Sequence, residues 1–184
     1  GAVVEEYGYD TDGNRTSAAY NGGAAEDATY GSQSGRLASR GNVDYTFDAD
    51  GFATKRGNDT FSYARGGELL SATVGGTTVS YDYDALERRT ARHEGAAMEH
   101  YLYGDPANPL RVTAWIDANG ALNVPRYDGD GTLFAIDRGA TRFYVASDHL
   151  GSPRLITDRT GATVRTIDYD AFGRVTGGSG SFDL

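Results

Sequence analysis

Residues 147–175, SDHLGSPRLITDRTGATVRTIDYDAFGRV, contain the pattern Asp-x-x-Gly three times. Aspartate at the first position accepts a hydrogen bond from the backbone two residues on, and glycine at the fourth adopts the positive φ that closes a type I turn with a bulge. Each copy therefore predicts a tight connection between two strands. The chain holds seven copies: Asp10 to Gly13, Asp48 to Gly51, Asp117 to Gly120, Asp128 to Gly131, Asp148 to Gly151, Asp158 to Gly161, and Asp170 to Gly173.

The segments beside these turns alternate in residue type, as half-buried strands do. VDYTFD leads into the turn at Asp48, and RTIDYD leads into the turn at Asp170. Degenerate copies, in which the aspartate or the glycine is replaced, fill gaps between the seven and lie around Tyr30, Tyr63 and Tyr81. The sequence therefore predicts an all-β fold of consecutive antiparallel β-hairpins.

Tyrosine recurs on the strands that lead into the turns. This suits a single-layer sheet with water on both faces, because the ring adds cross-strand contact area while its hydroxyl stays solvated. The alternative is that the tyrosines form the rim of an ordinary two-sheet sandwich. The lean composition, 39% hydrophobic, favours one curved or spiralling sheet. The repeat tyrosines are Tyr7, Tyr9, Tyr45, Tyr63, Tyr81, Tyr83, Tyr101, Tyr103 and Tyr169.

The turns recur with a period near 20 residues, which corresponds to two strands and two turns. Such a period is typical of an array in which each unit buries its faces against its neighbours. Only residues 24–28 and 85–92 would tolerate a helix, and both windows are short. Equivalent positions in this alignment are Asp10, Ser32, Asp48, Ala64, Asp84 and Gly104.

Composition excludes several classes of protein. There is no cysteine, which removes disulfides and thiolate chemistry and leaves the redox compartment open. A net charge of -9, with Lys55 as the one lysine, argues against nucleic-acid binding. Apolar runs are too short to cross a bilayer. The first residues carry no secretory signal, so either there is none or it lies outside this sequence, which has the character of a piece of a longer protein.

The residues that carry chemistry do not assemble into a catalytic or metal site. An EF-hand starting at Asp10 would need glycine and glutamate where Arg15 and Asn21 stand. The three histidines lack ligand spacing, and neighbours such as Asp148, His149 and Ser152 on one turn do not converge as a hydrolase triad. Phosphate-binding glycine motifs are missing. We expect no catalysis and no cofactor.

Trp115 and the last residues of the chain each have two interpretations. Trp115 is expected to anchor packing, with an exposed platform for carbohydrate stacking as the alternative. Pro106 and Pro109 are expected to end a strand and begin an extended connection. The Gly- and Ser-rich segment 176–182 is expected to be a flexible linker.

The assembled pattern Y-x-Y-D-x-x-G-R resembles that of YD-repeat proteins, the Rhs proteins and their relatives in Tc toxins and teneurins. YGYDTDGNRTSA and YDYDALERRTAR are similar to single repeats, and residues 143–175, with the segment DHLGSP, closely resemble the Rhs-associated core. This resemblance implies YD-repeat hairpins over 1–104, an irregular repeat or insert over 105–142, the core segment over 143–175 and a flexible tail over 176–184.

The same resemblance implies a function. The chain is expected to be a structural segment of an Rhs β-shell that encapsulates a C-terminal polymorphic toxin for delivery to other cells, in a secreted or cell-surface parent protein. Its partners would be the rest of the shell and the toxin, with a secretion apparatus or a cell-surface glycan as further candidates. The family's self-cleavage motif, DPxG, has no counterpart here. The alternative is a cell-surface adhesion or carbohydrate-binding module.

Overall fold

A computed structural model describes residues 4–182, and their secondary structure consists of β-strands and the connections between them. Eighteen strands follow one another with no helix in this range, so the predicted all-β class is confirmed. The strands are β1 Glu5–Tyr9, β2 Arg15–Tyr20, β3 Glu26–Tyr30, β4 Leu37–Arg40, β5 Val43–Phe47, β6 Ala53–Arg56, β7 Asp59–Tyr63, β8 Leu69–Val74, β9 Thr77–Tyr83, β10 Arg89–Glu94, β11 Ala97–Leu102, β12 Ala114–Ile116, β13 Leu122–Tyr127, β14 Leu133–Arg138, β15 Thr141–Ser147, β16 Pro153–Thr157, β17 Thr163–Tyr169 and β18 Val175–Gly180.

Each strand pairs antiparallel with the next strand in sequence, as the hairpin prediction requires. In the first hairpin Tyr7 lies opposite Ala18, and in the last Ile167 lies opposite Gly178. The register shifts by one residue where most strands enter an Asp-x-x-Gly turn, for example between Ser147 and its neighbour in β15. These shifts are the bulges that the turn type predicts.

Two kinds of turn connect the strands. Consecutive connections lie at opposite ends of the strands. Asp turns, which are the Asp-x-x-Gly connections and their degenerate copies, close one end, while the other end is closed by glycine turns of two residues and by the Asp turns at Asp117 and Asp158. Asn21 and Gly22 have φ of 52° and 69°, as a type I′ turn requires. The remaining glycine turns are Gly41-Asn42, Gly57-Asn58, Gly75-Gly76, Gly95-Ala96 and Gly139-Ala140.

The chain divides into two compact units, Gly1–Ser80 and Tyr81–Leu184. In the first unit the sheet has an aromatic face and a hydroxyl face. Tyr45 and Phe47 are half-buried, while Thr46 between them is exposed. On the hydroxyl face, cross-strand pairs such as Ser62 and Ser71 lie 2.7 Å apart, oxygen to oxygen. Little is buried here, as a single-layer sheet predicts.

The second unit holds a small apolar cluster on one face of its sheet. Ile136, Val145, Ile156 and Phe182 are buried together, and Trp115 packs against them. Ile136, Val145 and Ile156 come from neighbouring strands, so their side chains meet on one face. Phe182 follows β18 and contacts the same cluster, which places the end of the described chain over this face of the sheet.

Three details differ from the sequence interpretation. The degenerate turn after β3 begins at Gly31, not Ser32, and is one residue longer because Gly31 donates its N–H to the carbonyl of Arg36. The irregular segment is shorter than 105–142, since strands β12 to β15 occupy residues 114–116, 122–127, 133–138 and 141–147. Residues 175–180 form strand β18, which pairs with β17 and is not a loose tail. Residues 183 and 184 of that predicted tail lie outside the described residues.

Candidate functional site in the turns and an aromatic cleft

The turn at Asp148 shows why aspartate and glycine are needed. Asp148 donates its N–H to the carbonyl of Ser152 and accepts the N–H of Gly151, both at 3.0 Å. Its carboxylate Oδ1 accepts the N–H groups of Leu150 and Ser152, each also at 3.0 Å. Gly151 has φ of 84°, where a side chain is strained. The side chain therefore satisfies backbone donors that the turn leaves without a strand partner.

All seven predicted turns have this backbone geometry. In each one the glycine N–H donates to the aspartate carbonyl at 2.8 to 3.2 Å, and the glycine has positive φ. The hydrogen bonds also shift the acidity of the aspartates. Hydrogen bonds from the Asn14 side chain and backbone hold the pKa of Asp10 below its usual value, and the Thr160 hydroxyl and backbone do the same for the pKa of Asp158.

Degenerate turns keep the backbone geometry without the full motif. Ala64 replaces aspartate, yet Gly67 still donates to its carbonyl at 3.0 Å. At the turn of Asp84, Glu87 stands in the place of glycine and has φ of 61°. Arg88 stabilises this strained turn, because it hydrogen-bonds the Asp84 carboxylate at 2.7 Å and holds the pKa of Asp84 below its usual value.

The residue that follows one turn reaches forward to the glycine of a later turn. A Cβ built on Gly51 would lie 2.6 Å from Nη2 of Arg36, and one on Gly67 would lie 2.8 Å from the ring of Phe52. These glycines therefore provide space as well as positive φ. Arg111 makes the equivalent approach to Gly131, at 2.8 Å. Successive turns are thus in direct contact.

The same forward-reaching residues pack on aromatic rings. Phe52 stacks on Tyr63 with ring centroids 5.0 Å apart, and elsewhere an arginine contacts the aromatic residue that directly precedes a turn. Cation–π contacts of this kind add stability at partly exposed sites. The arginine–aromatic pairs, with distances from Cζ to the ring centroid, are Arg36 and Phe47 at 5.7 Å, Arg88 and Tyr103 at 4.7 Å, Arg111 and Tyr127 at 4.8 Å, and Arg154 and Tyr169 at 5.4 Å.

Tyrosine hydroxyls make a second link between repeats. The hydroxyl of Tyr103 donates to the carbonyl of Arg89 at 2.9 Å, and that of Tyr30 donates to the carbonyl of Arg15 at 2.9 Å. Tyr127 donates in the same way to Val112, at 3.3 Å. Sequence analysis did not include Tyr30 and Tyr127 among the repeat tyrosines, although both directly precede a turn.

The predicted repeat tyrosines occupy several environments. Tyr7 is half-buried and meets Tyr20 edge to face, with centroids 6.2 Å apart, whereas Tyr9 is 55% exposed. Tyr81 and Tyr101 lie on either side of the Arg89 guanidinium, at 5.5 and 4.6 Å from its Cζ. The other predicted tyrosines are half-buried: Tyr45, Tyr63, Tyr83, Tyr103 and Tyr169.

A cleft of about 440 Å³ lies on the face of the second unit that carries the apolar cluster. A row of cross-strand partners builds it: Tyr101 lies opposite Trp115, Trp115 opposite Asn123, and Asn123 opposite Arg138. Cross-strand partners share a face, so these four strands present their side chains together. Trp115 thus packs against the cluster, as expected of an anchor, and also lines an open cleft.

The polar groups of the cleft form a connected network. Asn123 is fully buried and donates to the Ala121 carbonyl at 2.9 Å and to the Asp117 carboxylate at 3.3 Å. Arg138 donates from Nε to Oδ1 of Asn123 at 2.6 Å. Burial, together with the hydrogen bond that its hydroxyl donates to Glu99, raises the pKa of Tyr101 to about 12. Tyr101 is therefore a neutral hydrogen-bond donor at physiological pH.

Within residues 4–182, no group of three or more histidine, aspartate or glutamate side chains could hold a metal ion. His93 instead lies 2.8 Å from the Asp82 carboxylate across neighbouring strands. Over the same residues, no helix is long and apolar enough to cross a membrane.

The strands pair strictly in sequence, turns contact later turns, and arginines lie over aromatic rings. Together these features define a β-repeat protein whose units are coupled along the chain. A family model described as "Teneurin YD-shell" matches residues 1–183. The chain belongs to this family, and its predicted resemblance to YD-repeat proteins is confirmed.

Two teneurins illustrate the similarity in sequence. Mouse teneurin-1 is 33% identical over 174 residues, which cover 92% of this chain and 6% of that protein. Human teneurin-4 is 33% identical over 145 residues, covering 76% of this chain and 5% of that protein. The chain therefore corresponds to a small part of these relatives.

Two solved structures share the fold. A crystal structure of TcdB2-TccC3-Cdc42 superposes with a TM-score of 0.74 at 15% identity and covers 97% of this chain and 10% of that one. The Photorhabdus luminescens Tc holotoxin pore, with the mutation TccC3-D651A, gives a TM-score of 0.68 at 14% identity, covering 94% of this chain and 10% of that one. The chain therefore has the fold of a segment in these Tc toxin structures.

Proposed function

We propose that this chain is a segment of the wall of an Rhs-type YD-repeat β-shell, which encapsulates a C-terminal polymorphic toxin for delivery to other cells. The segment itself performs no catalysis in this proposal. Its partners are the neighbouring shell repeats and the enclosed toxin, and the parent polypeptide is secreted or placed at the cell surface, with a secretion apparatus as the delivery route.

The coupling of successive turns is the observation that carries this proposal. A wall must hold its shape without a thick core, so each repeat has to be fixed by the next one. Arg36 at Gly51 and Phe52 at Gly67 are contacts of this kind, and the aromatic pairs continue them. The fold shared with Tc toxin structures supports the same function.

Protease protection of the complete parent polypeptide tests the proposal. We expect the region after the shell repeats to resist trypsin in buffer, and to be degraded once urea opens the shell. The matched control is that same region expressed without the shell. Cleavage of both at equal rates in buffer would show that this chain does not enclose the region.

A second candidate function is adhesion, in which the chain binds a cell-surface glycan. The cleft favours it, because Trp115, Tyr101 and Tyr127 line one cavity of a size that holds small ligands. Aromatic rings bind the apolar faces of sugars, while Asn119 at the same cleft offers hydrogen bonds. An oligosaccharide array tests this function, and saturable binding that Trp115→Ala abolishes would support it over a purely structural wall.

A further inference from the structure

The sheet of the second unit already binds one aromatic residue of its own chain. Phe182 is 4% exposed and lies beneath the Arg138 guanidinium, whose Cζ is 4.2 Å from the ring centroid. The Phe182 ring also packs against Phe143, with ring centroids 4.7 Å apart. Arg165 hydrogen-bonds the Phe182 carbonyl. The residues that directly follow β18 are thus held on this face by the Phe182 side chain and one backbone contact.

The cleft at Trp115 adjoins the surface that holds Phe182. Ile136 belongs both to the cluster around Phe182 and to the lining of the cleft, and Arg138 lines the cleft while it stacks on Phe182. Apolar side chains form part of the lining of the cleft, among them Trp115, Leu133 and Pro125. A second aromatic side chain on the same face would find a surface like the one that holds Phe182.

Arg89 adds a charge requirement at the rim of the cleft. Its guanidinium is fixed between the rings of Tyr81 and Tyr101. Among the described residues it has neither a hydrogen-bond acceptor nor an ion-pair partner, and the residue is exposed. The carboxylates of the cleft are already engaged, Glu99 by Tyr101 and Asp117 by Asn123 and by backbone N–H groups. A guanidinium in this position matches a carboxylate.

We propose that the cleft binds an extended peptide through an aromatic side chain placed against Trp115, with an adjacent aspartate or glutamate paired to Arg89. This binding is argued from the cleft alone. The peptide is a segment of the polypeptide that the shell encloses, and this second point rests on the proposed shell function. The occupant is a peptide because the same face holds Phe182 in this manner, and it is acidic because Arg89, unlike Arg138, is a cation of the cleft that has no acceptor among the described residues.

Fluorescence of Trp115 tests the assignment directly, since this is the one tryptophan of the chain. The probes are the capped peptides Gly-Phe-Asp-Gly, Gly-Phe-Asn-Gly and Gly-Ala-Asp-Gly, whose absorption does not overlap tryptophan excitation. We expect a saturable change of Trp115 emission with the first peptide. Affinity should fall threefold or more when asparagine replaces aspartate, and further when alanine replaces phenylalanine.

Arg89→Gln should remove the preference for aspartate over asparagine. Arg154→Gln is the matched control, because Arg154 also stacks on a tyrosine but does not line the cleft, and it should keep the preference. The absence of a saturable signal with all three peptides would overturn the assignment, as would equal preference in wild type and Arg89→Gln. Binding of glucuronic acid or glucose oligosaccharides in place of the peptides would assign the cleft to a glycan. Protease protection of the parent can succeed or fail independently of these results.

Discussion

The guanidinium of Arg36 occupies the space that a side chain at Gly51 would need, with Nη2 only 2.6 Å from the ideal Cβ position. Arg36 follows one turn and Gly51 closes the next Asp turn along the chain. Glycine at this position is therefore required twice, by its φ of 98° and by a neighbour that arrives from the preceding repeat. The Asp-x-x-Gly motif indicates the need for positive φ, but it does not indicate the need for space beside Arg36.

Gly51→Val should destabilise the chain more than Gly151→Val. Both substitutions place a β-branched residue at positive φ, which costs about 1–2 kcal/mol. Only at Gly51 would the new side chain also displace Arg36, because nothing lies within 4 Å of a Cβ at Gly151. We expect losses of more than about 2 kcal/mol and about 1–2 kcal/mol respectively in urea unfolding. Gly129→Ala, inside the turn of Asp128 with open space around it and no positive φ, is the control and should be neutral.

Phe52 and Tyr63 should be energetically coupled. Their rings stack at 5.0 Å with an interplanar angle of 24°. A double-mutant cycle with Phe52→Ala and Tyr63→Ala should give a coupling free energy of about 0.5–1.5 kcal/mol. Additive free energies of unfolding would contradict the proposed contact between repeats. Phe61→Ala combined with Tyr63→Ala provides a comparison pair on the same strand.

Tyr103→Phe should lower the free energy of unfolding by about 1 kcal/mol, because it removes the hydrogen bond from the hydroxyl to the carbonyl of Arg89 and leaves the ring in place. Tyr9→Phe serves as the control, since Tyr9 is 55% exposed. Chemical denaturation of both variants measures the difference. Equal stability of the two would mean that the hydroxyl link contributes nothing.

Stability should fall in acid. Hydrogen bonds hold the pKa values of Asp10, Asp84 and Asp158 below the usual value of an aspartate in the folded chain, and hydrogen bonds from Arg142 and Arg126 lower the pKa of Asp137 to about 2. Carboxyls with a lowered folded pKa stabilise the fold above their unfolded pKa, and this stabilisation is lost as the pH falls through the folded value. The free energy of unfolding should thus be level above about pH 5 and decrease towards pH 2.

Asp137→Asn isolates one contribution to this acid dependence. The variant should be less stable near neutral pH and should lose less stability than wild type between about pH 4 and pH 2. Asp50→Asn, at an exposed turn position, is the control and should be as stable as wild type near neutral pH. A wild-type curve that is flat down to pH 2 would rule out the engaged carboxylates as a source of stability.

Gly178→Ala should unfold strand β18. An ideal Cβ at Gly178 would lie 2.1 Å from the carbonyl oxygen of Thr166 on the paired strand, and backbone cannot move aside cheaply. Gly177→Ala, whose Cβ would be 3.4 Å from the Asp168 side chain, is the matched control. Hydrogen exchange of residues 175–180 should be faster in Gly178→Ala and unchanged in Gly177→Ala. Equal protection in both would contradict the strand pairing.

The all-β class and the Asp turns follow from local chemistry, so the sequence predicts them well. Asp148 and Gly151 determine their turn through their own carboxylate and φ, without help from distant residues. The sequence pattern does not identify the glycine turns, because turns such as Gly41-Asn42 and Gly57-Asn58 are short and lack a repeated aspartate. Strand β18 was predicted as a linker because flexible composition does not show which backbone lies beside it.

The contacts between repeats depend on register, and a register cannot be read from one repeat alone. Arg36 and Phe52 look unrelated in sequence, yet they occupy equivalent places after two successive Asp turns. The cleft has the same origin. Tyr101, Trp115, Asn123 and Arg138 share no motif, and only the pairing of four strands brings them into a row.

Strand β18 has the sequence VTGGSG, and every residue in it is exposed. Beyond its pairing with β17, it offers peptide groups that no large side chain shields, whereas β1 carries two glutamates. Charged residues on an outer strand repel a second chain, and bare glycine backbone does not. In concentrated solution, this chain should self-associate through β18. The substitution Ser179→Lys should reduce this self-association and raise the solubility of the chain.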